Sequence, residues 1–453
     1  MLNAGFIAAT AIPAYAVARR CVTIPVAAAF AAVVVLSPIC LFVWYVMPEP
    51  MYLLGFWLVV LVVLSTLDKS PLLSAAAGGA LIGALSLVKP HALALAAGIG
   101  LFFLLRDGLR MRRVTAAATV FLAYYAVRSV LAYFLTGEWV WSVSGANYGG
   151  ILLRHHLDLL ATAANAIGHV SAIVTLIGVP LAVTLVMVVR GRFMQSAKID
   201  DAALRRLLDL GLLACCILAA MVAMTIYFSQ SVYQISPEVE RFTRLHGRYY
   251  VYVLPLFVLV TIGLWQNGID LSQMLPRSAV IVLCGAMVVA AAVIVFKFEI
   301  SSIDFPDLTL VRRFPFAAMG LLFVVFILSY VGWGRIGTNL IIGATIWWAA
   351  IGLATTTALI VRNKTLVLNG PVDASFFDPT DRSGLRGLVS RSDGIIIGPS
   401  NSAGEAYRAM FYLRSLSAGR LVSSGAEITD GDLPKEHAGQ CYCRGSITPV
   451  RRA

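Results

Sequence analysis

Glu49 stands between two prolines in LFVWYVMPEPMYLLGFWLVV (41–60), with long apolar runs on either side. Two readings of that carboxylate stand side by side. Either it is an interfacial group left in water where prolines end two helices, or it is a catalytic carboxylate held near a membrane surface by stiff backbone, because Pro48 and Pro50 each fix φ. SLVKPHALAL next sets Lys89, Pro90 and His91 in one turn. Lys89 either snorkels to headgroups or joins His91 in holding a phosphate, and His91 is of a type that titrates near neutral pH. Arg128, in YYAVRSVLAYFLTGEWVWSVSGANYGG, lies ~12 Å of helix inside the end of its run. An Arg at that depth usually faces a cavity or an anionic partner. SPEVERFTRLHGRYYVYVLPLF brings Arg241, Arg244, His246 and Arg248 into one loop, followed by Tyr249, Tyr250 and Tyr252. Glu238 and Glu240 allow a salt-bridged loop there, and a phosphate-bearing lipid explains the same residues equally well. Carboxylate, Lys/His, buried Arg and an Arg/Tyr loop together suit a lipid-phosphate substrate.

The elements that must position these groups are apolar helices. Of 453 residues 59% are hydrophobic and 13% charged, and mean hydropathy is +0.85, where soluble domains are closer to a quarter charged. Apolar runs of roughly 20 residues, the length that crosses a hydrocarbon core as helix, recur along most of the chain. No short alternating strands of a closed barrel are visible. The fold class expected is an all-α polytopic membrane protein. Twelve spans are expected at about 1–18, 24–46, 51–67, 72–88, 91–105, 114–136, 161–189, 207–228, 249–265, 277–297, 314–333 and 337–361.

Alternate connections differ in charge. One set carries fourteen Lys and Arg against six Asp, and the other carries eight basic and eight acidic residues, Glu49 among them. Basic excess marks the cytoplasmic side, which places Glu49, Lys89 and the 238–248 loop on the outer face. The cysteines read as small buried side chains, and C-x-C at Cys441 and Cys443 lacks the companions of a zinc site. No P-loop or G-x-G-x-x-G is present, so no nucleotide is expected, and no nucleic acid partner either. The transmembrane domain is expected over 1–362. Residues 363–453 are expected to form a small α/β domain on the outer face, with strands in TLVLNG, GIIIGPS and GRLVSSG, a helix in SAGEAYRAMFYLRSLS, and a loose tail from Cys441.

These stretches, in this order, resemble the GT-C membrane glycosyltransferases, in the branch of the protein O-mannosyltransferases and the aminoarabinose transferase acting on lipid A. LSPICLFVWYVMPEPMYLLGFW is similar to that family's second acidic loop, and SAAAGGALIGALSLVKPHALAL to its Gly/Ala-rich helix ending in a basic–Pro turn. YYAVRSVLAYFLTGEWVWSVSGANYGG resembles its helix–Arg–Gly segment, and GRYYVYVLPLF its Arg-Tyr re-entry into the membrane. The resemblance covers residues 1–265, and the remainder by architecture alone.

It implies sugar transfer from a polyprenyl-phosphate donor to a lipid, polysaccharide or protein acceptor at the outer face of a bacterial inner membrane. Glu49 would be the catalytic carboxylate, acting as a base or sharing a divalent ion. Lys89, His91, Arg128, Arg241, Arg244, Arg248 and Tyr249 would hold the donor phosphate. The family's first helix and first acidic loop precede everything seen here, and with twelve spans both termini fall outside. The chain therefore reads as starting one span late. The competing expectations are a transporter or flippase of an anionic lipid or solute, and a noncatalytic truncated relative.

Overall fold

The computed structural model describes residues 2–39, 42, 48–106, 111–137, 139, 158–193, 202–235, 242–269, 275–300, 304–308 and 311, together with three short strands at 394–397, 421–422 and 447–450. The chain divides into two units, Met1–Val43 with Pro48–Thr357, and Trp44–Met47 with Ala358–Ala453.

The first unit contains α1 (Leu2–Ala18), α2 (Ile24–Val35), α3 (Glu49–Leu67), α4 (Pro71–Leu85) and α5 (Ala92–Arg106). They are followed by α6 (Met111–Thr136), α7 (Leu159–Phe193), α8 (Ala202–Ile235), α9 (Leu254–Gln266) and α10 (Arg277–Lys297). A helix lies in each of the first ten runs read from the sequence. The runs at 314–333 and 337–361 fall outside the described residues. Helices α3, α6, α7, α8 and α10 are long and apolar enough to cross a membrane, while α1, α2, α4, α5 and α9 are shorter apolar helices. That is the helix content of a membrane protein.

Local chemistry sets the boundaries. Ser70 caps α4, its side chain accepting from the Leu73 amide, and Pro71 occupies the first turn. Asp158 Oδ1 accepts from the amides of Leu160 and Ala161 at the start of α7. Helix α2 ends at Val35, well before the expected end near residue 46. Pro38 supplies the reason: it lacks an N–H and disfavours helical backbone at the residue before it. Within apolar helices the hydroxyls of Thr10, Thr66, Thr225 and Thr261 donate to the carbonyl four residues earlier, which satisfies these four polar hydrogens within their own helices.

The core forms where α4 packs on α6, α5 on α8, α1 on α3, α3 on α4 and α10 on α7. Helix α4 approaches α6 through glycine. A Cβ on Gly79 would strike the Val120 carbonyl oxygen, and one on Gly83 the Tyr124 carbonyl oxygen. Only glycine permits that approach. Phe121, Leu122, Phe134 and Leu135 on α6, and Val282, Val289 and Phe296 on α10, point outward. Such continuous outward apolar surface is what a hydrocarbon surround accepts and water does not.

In the second unit β1 (Gly394–Ile397) pairs in parallel with β2 (Leu421–Val422) and antiparallel with β3 (Ile447–Val450), in the order β2-β1-β3. The first two strands lie in GIIIGPS and GRLVSSG. The third lies in the tail that the sequence suggested was loose: Ile447 and its neighbours find a partner edge on β1. TLVLNG and the expected helix from Ser402 lie outside the described residues.

Candidate functional site

Glu49 occupies the first turn of α3, where the aligned peptide dipoles favour a carboxylate. Its side chain is only 4% exposed, and Oε1 accepts a hydrogen bond from Lys89 Nζ at 2.8 Å. Among the described residues Oε2 has no hydrogen-bond partner. Lys89 reaches it from the turn after α4, with a side chain 9% exposed. Its ammonium also lies 4.9 Å from the centroid of the Tyr249 ring and 5.8 Å from that of Tyr52, within cation–π range. Burial lowers the Lys89 pKa, and the charge and hydrogen bond of Glu49 oppose that shift.

His91 closes the same turn from the α5 side. Its ring stacks on Tyr249 at 4.0 Å and meets Phe228 edge-on. Neither ring nitrogen has a partner among the described residues. Burial, then the charges of Lys89, Arg248 and His246, push its pKa well below the ordinary value. The imidazole is therefore neutral at pH 7, with one nitrogen able to accept a proton and one able to donate.

The loop before α9 completes the cluster, and Asp304 organises it. Asp304 Oδ2 accepts from Arg244 Nε at 2.8 Å and Nη2 at 2.6 Å. Its Oδ1 lies 3.3 Å from His246 Nδ1 and 3.7 Å from Arg248 Nε, and its carbonyl accepts from the Arg248 amide at 2.8 Å. Glu299 adds backbone bonds to Thr243 and Leu245. Burial alone would push the Asp304 carboxyl up. The His246 hydrogen bond, the charges of His246 and Arg248 and the Arg244 hydrogen bond outweigh it, holding the pKa below the usual carboxylate range. So anchored, Arg248 lies over the Tyr249 ring at 5.1 Å and donates to the Tyr249 hydroxyl at 3.2 Å.

The structure thus brings Glu49, Lys89, His91, Arg248 and Tyr249 into one buried cluster, with Arg244 drawn to Asp304 behind it. Arg128 is buried on α6, its Nη1 donating to Tyr124 Oη at 2.9 Å where α6 passes Gly83 of α4. Arg241, Glu238 and Glu240 lie outside the described residues. Asp304 belongs to no motif in the sequence. It pairs across 60 positions with Arg244, a separation that no local spacing reveals.

Lys89 pairs with Glu49, Arg244 and Arg248 gather on Asp304, and Glu299 is bridged to Arg244 through the backbone. Glu49 Oε2 and both His91 nitrogens, without hydrogen-bond partners among the described residues, share this one place. A buried polar atom left unpaired costs about 1–3 kcal/mol, so their concentration marks where a polar ligand would restore hydrogen bonds. Among the described residues no three His, Cys, Asp or Glu side chains are grouped to hold a metal ion.

Comparison with family models, with curated proteins and with solved structures finds no match. The reading of the site rests on its own chemistry.

Proposed function

We propose that the chain is a multi-span glycosyltransferase that moves a sugar from a polyprenyl-phosphate donor to an acceptor hydroxyl. The observation that carries this reading is the state of Glu49. One oxygen of a buried carboxylate is fixed by Lys89 and the other has no hydrogen-bond partner among the described residues, in a cluster that also holds Arg248. A carboxylate so placed can accept the proton of a hydroxyl, and the surrounding cations can receive a phosphate.

In the reaction proposed, the acceptor oxygen attacks the anomeric carbon as the bond from that carbon to the phosphate oxygen breaks. The acceptor proton passes to Glu49 Oε2, and the polyprenyl phosphate leaves as a monoester. Arg248, which lies over the Tyr249 ring as Lys89 does, would neutralise the developing phosphate charge together with Lys89, and Arg128 on α6 is assigned to the same phosphate. Glu49 keeps its orientation during transfer because Lys89 holds Oε1. No nucleotide is needed, since the lipid-linked sugar already stores the bond energy. The charge asymmetry of the connections supports an outer-face site, in a bacterial inner membrane with the site towards the periplasm.

The test is transfer by protein reconstituted in liposomes, supplied with a panel of polyprenyl-phosphate sugars and an envelope extract as acceptor source. Glu49→Gln is expected to abolish release of polyprenyl phosphate while the protein still inserts and folds. Movement of intact lipid across the bilayer without bond cleavage would instead identify a flippase.

A further inference from the structure

Transfer by Glu49, with Lys89, Arg248 and Arg128 on the phosphate, leaves His91 without a task. Its turn is well built: the amides of Ala92, Leu93 and Ala94 donate to the carbonyls of Lys89, Pro90 and His91. That bonding fixes the imidazole two positions from Lys89, whose ammonium holds Glu49. The residue is 5% exposed. Its ring stacks on Tyr249 at 4.0 Å and meets Phe228 edge-on at 5.5 Å. Lys89 Nζ and Arg248 Cζ lie 4.9 Å and 5.1 Å from the centroid of the same Tyr249 ring. The imidazole and both cations therefore share one aromatic platform.

Neither nitrogen of this buried ring has a hydrogen-bond partner among the described residues. Burial, then the charges of Lys89, Arg248 and His246, keep the ring neutral. A neutral imidazole carries one N–H that donates and one bare nitrogen that accepts. A ligand that answers only one of them leaves the other unpaired in a buried place, which native structures avoid.

That requirement separates the parts of a lipid-linked sugar. An ionised phosphodiester offers acceptor oxygens only, so it meets the N–H and not the bare nitrogen. Lys89 and Arg248 already supply the cations that pair with phosphate oxygens. An ammonium could donate to the bare nitrogen but would enter against those two charges. A hydroxyl both donates and accepts, and neighbouring hydroxyls can meet the two ring nitrogens.

We propose that His91 is a sugar-binding residue, its imidazole hydrogen-bonding hydroxyls of the transferred sugar while Lys89 and Arg248 hold the phosphate. The inference rests on the transferase reading and adds which part of the donor His91 touches.

The probes are polyprenyl-phosphate hexoses and pentoses, each set against polyprenyl methyl phosphate, a diester of the same charge with no hydroxyl. Affinities are measured on the purified full chain in detergent, for wild type, His91→Phe and His91→Gln. Wild type is expected to bind at least one sugar diester more tightly than the methyl diester. His91→Phe, which keeps an aromatic ring against Tyr249, should weaken that sugar diester about tenfold and leave the methyl diester unchanged. His91→Gln, whose amide keeps a donor and an acceptor, should restore most of the preference. Melting checks that each variant folds, and His91→Leu is read in the same way where the phenylalanine variant does not. Equal weakening of both diesters would place His91 on the phosphate and overturn the proposal. So would a sugar preference that is absent in wild type or unchanged in His91→Phe, which would leave water as the partner of the ring. Those outcomes leave the transferase reading standing, whereas a wild type that binds neither diester would contradict that reading as well.

Discussion

Removing the Lys89 ammonium tests how Glu49 is held. In Lys89→Met the Glu49 carboxylate loses the bond to Oε1, while Oε2 has no hydrogen-bond partner among the described residues. The two side chains are 9% and 4% exposed, so water screens the pair little. Removing one partner of such a buried pair costs about 3–5 kcal/mol, because the other charge is left uncompensated. Glu49→Gln alone leaves the Lys89 ammonium against a neutral amide and is expected to cost a similar amount. The double variant Glu49→Gln/Lys89→Met removes both charges and should be far less destabilised than the sum of the two, since a buried ion pair rarely exceeds its neutral replacement in stability. The assay is a double-mutant cycle on unfolding in detergent, with transfer activity measured alongside. Recovery of stability in the double variant, with activity still absent, is the expected outcome. Additive losses, with a coupling below about 0.5 kcal/mol, would show that the pair is not closed and refute the reasoning.

Further consequences are as direct. Asp304→Asn removes the charge that gathers Arg244, His246 and Arg248. It should cost about 2 kcal/mol of stability, less than a fully buried pair because the Arg244 side chain is 33% exposed. It should also raise KM for the phosphate-bearing donor more than it lowers kcat, as steady-state kinetics would show. Gly83→Ala places a methyl against the Tyr124 carbonyl and should destabilise the α4–α6 contact by about 1–3 kcal/mol, read by thermal unfolding. Burial pushes the Asp307 carboxyl from 3.8 up to about 7. The folded state therefore keeps a proton that the unfolded state has released, and this contribution to stability is full below pH 3.8 and lost as pH rises to about 7. Asp307→Asn should flatten that part of the stability–pH curve. His91, pushed well below 6.5 by burial, works in the opposite sense: its contribution is present above pH 6.5 and fades as acid forces the buried ring to charge.

Much of this was legible from apolar run lengths. Among the described residues ten helices lie where the runs are, because a stretch such as EPMYLLGFWLVVLVVLSTL is long and apolar enough to cross a membrane as helix. The meeting of Glu49, Lys89, His91 and Tyr249 was legible too, since alternation of direction places the start of α3, the α4–α5 turn and the approach to α9 at one end. Boundaries governed by a single residue were harder: Pro38 stops α2 inside an apolar run that reads as continuous. Least legible was Asp304. It looks in sequence like an ordinary loop acid, and its role comes from a loop 60 positions away. Arg128 could be recognised as buried from its depth, whereas its bond to Tyr124 depends on the helical i−4 spacing and on the rotamer adopted.

The most direct test of the central claim is release of polyprenyl phosphate from lipid-linked sugars by the reconstituted protein, compared among wild type, Glu49→Gln and Arg128→Ala at matched insertion. The account predicts acceptor-dependent release by wild type and loss of at least 100-fold in both variants, on the order of 3 kcal/mol in the barrier for each. Wild-type rates in both variants, or no release by wild type with any donor in the panel, would contradict it.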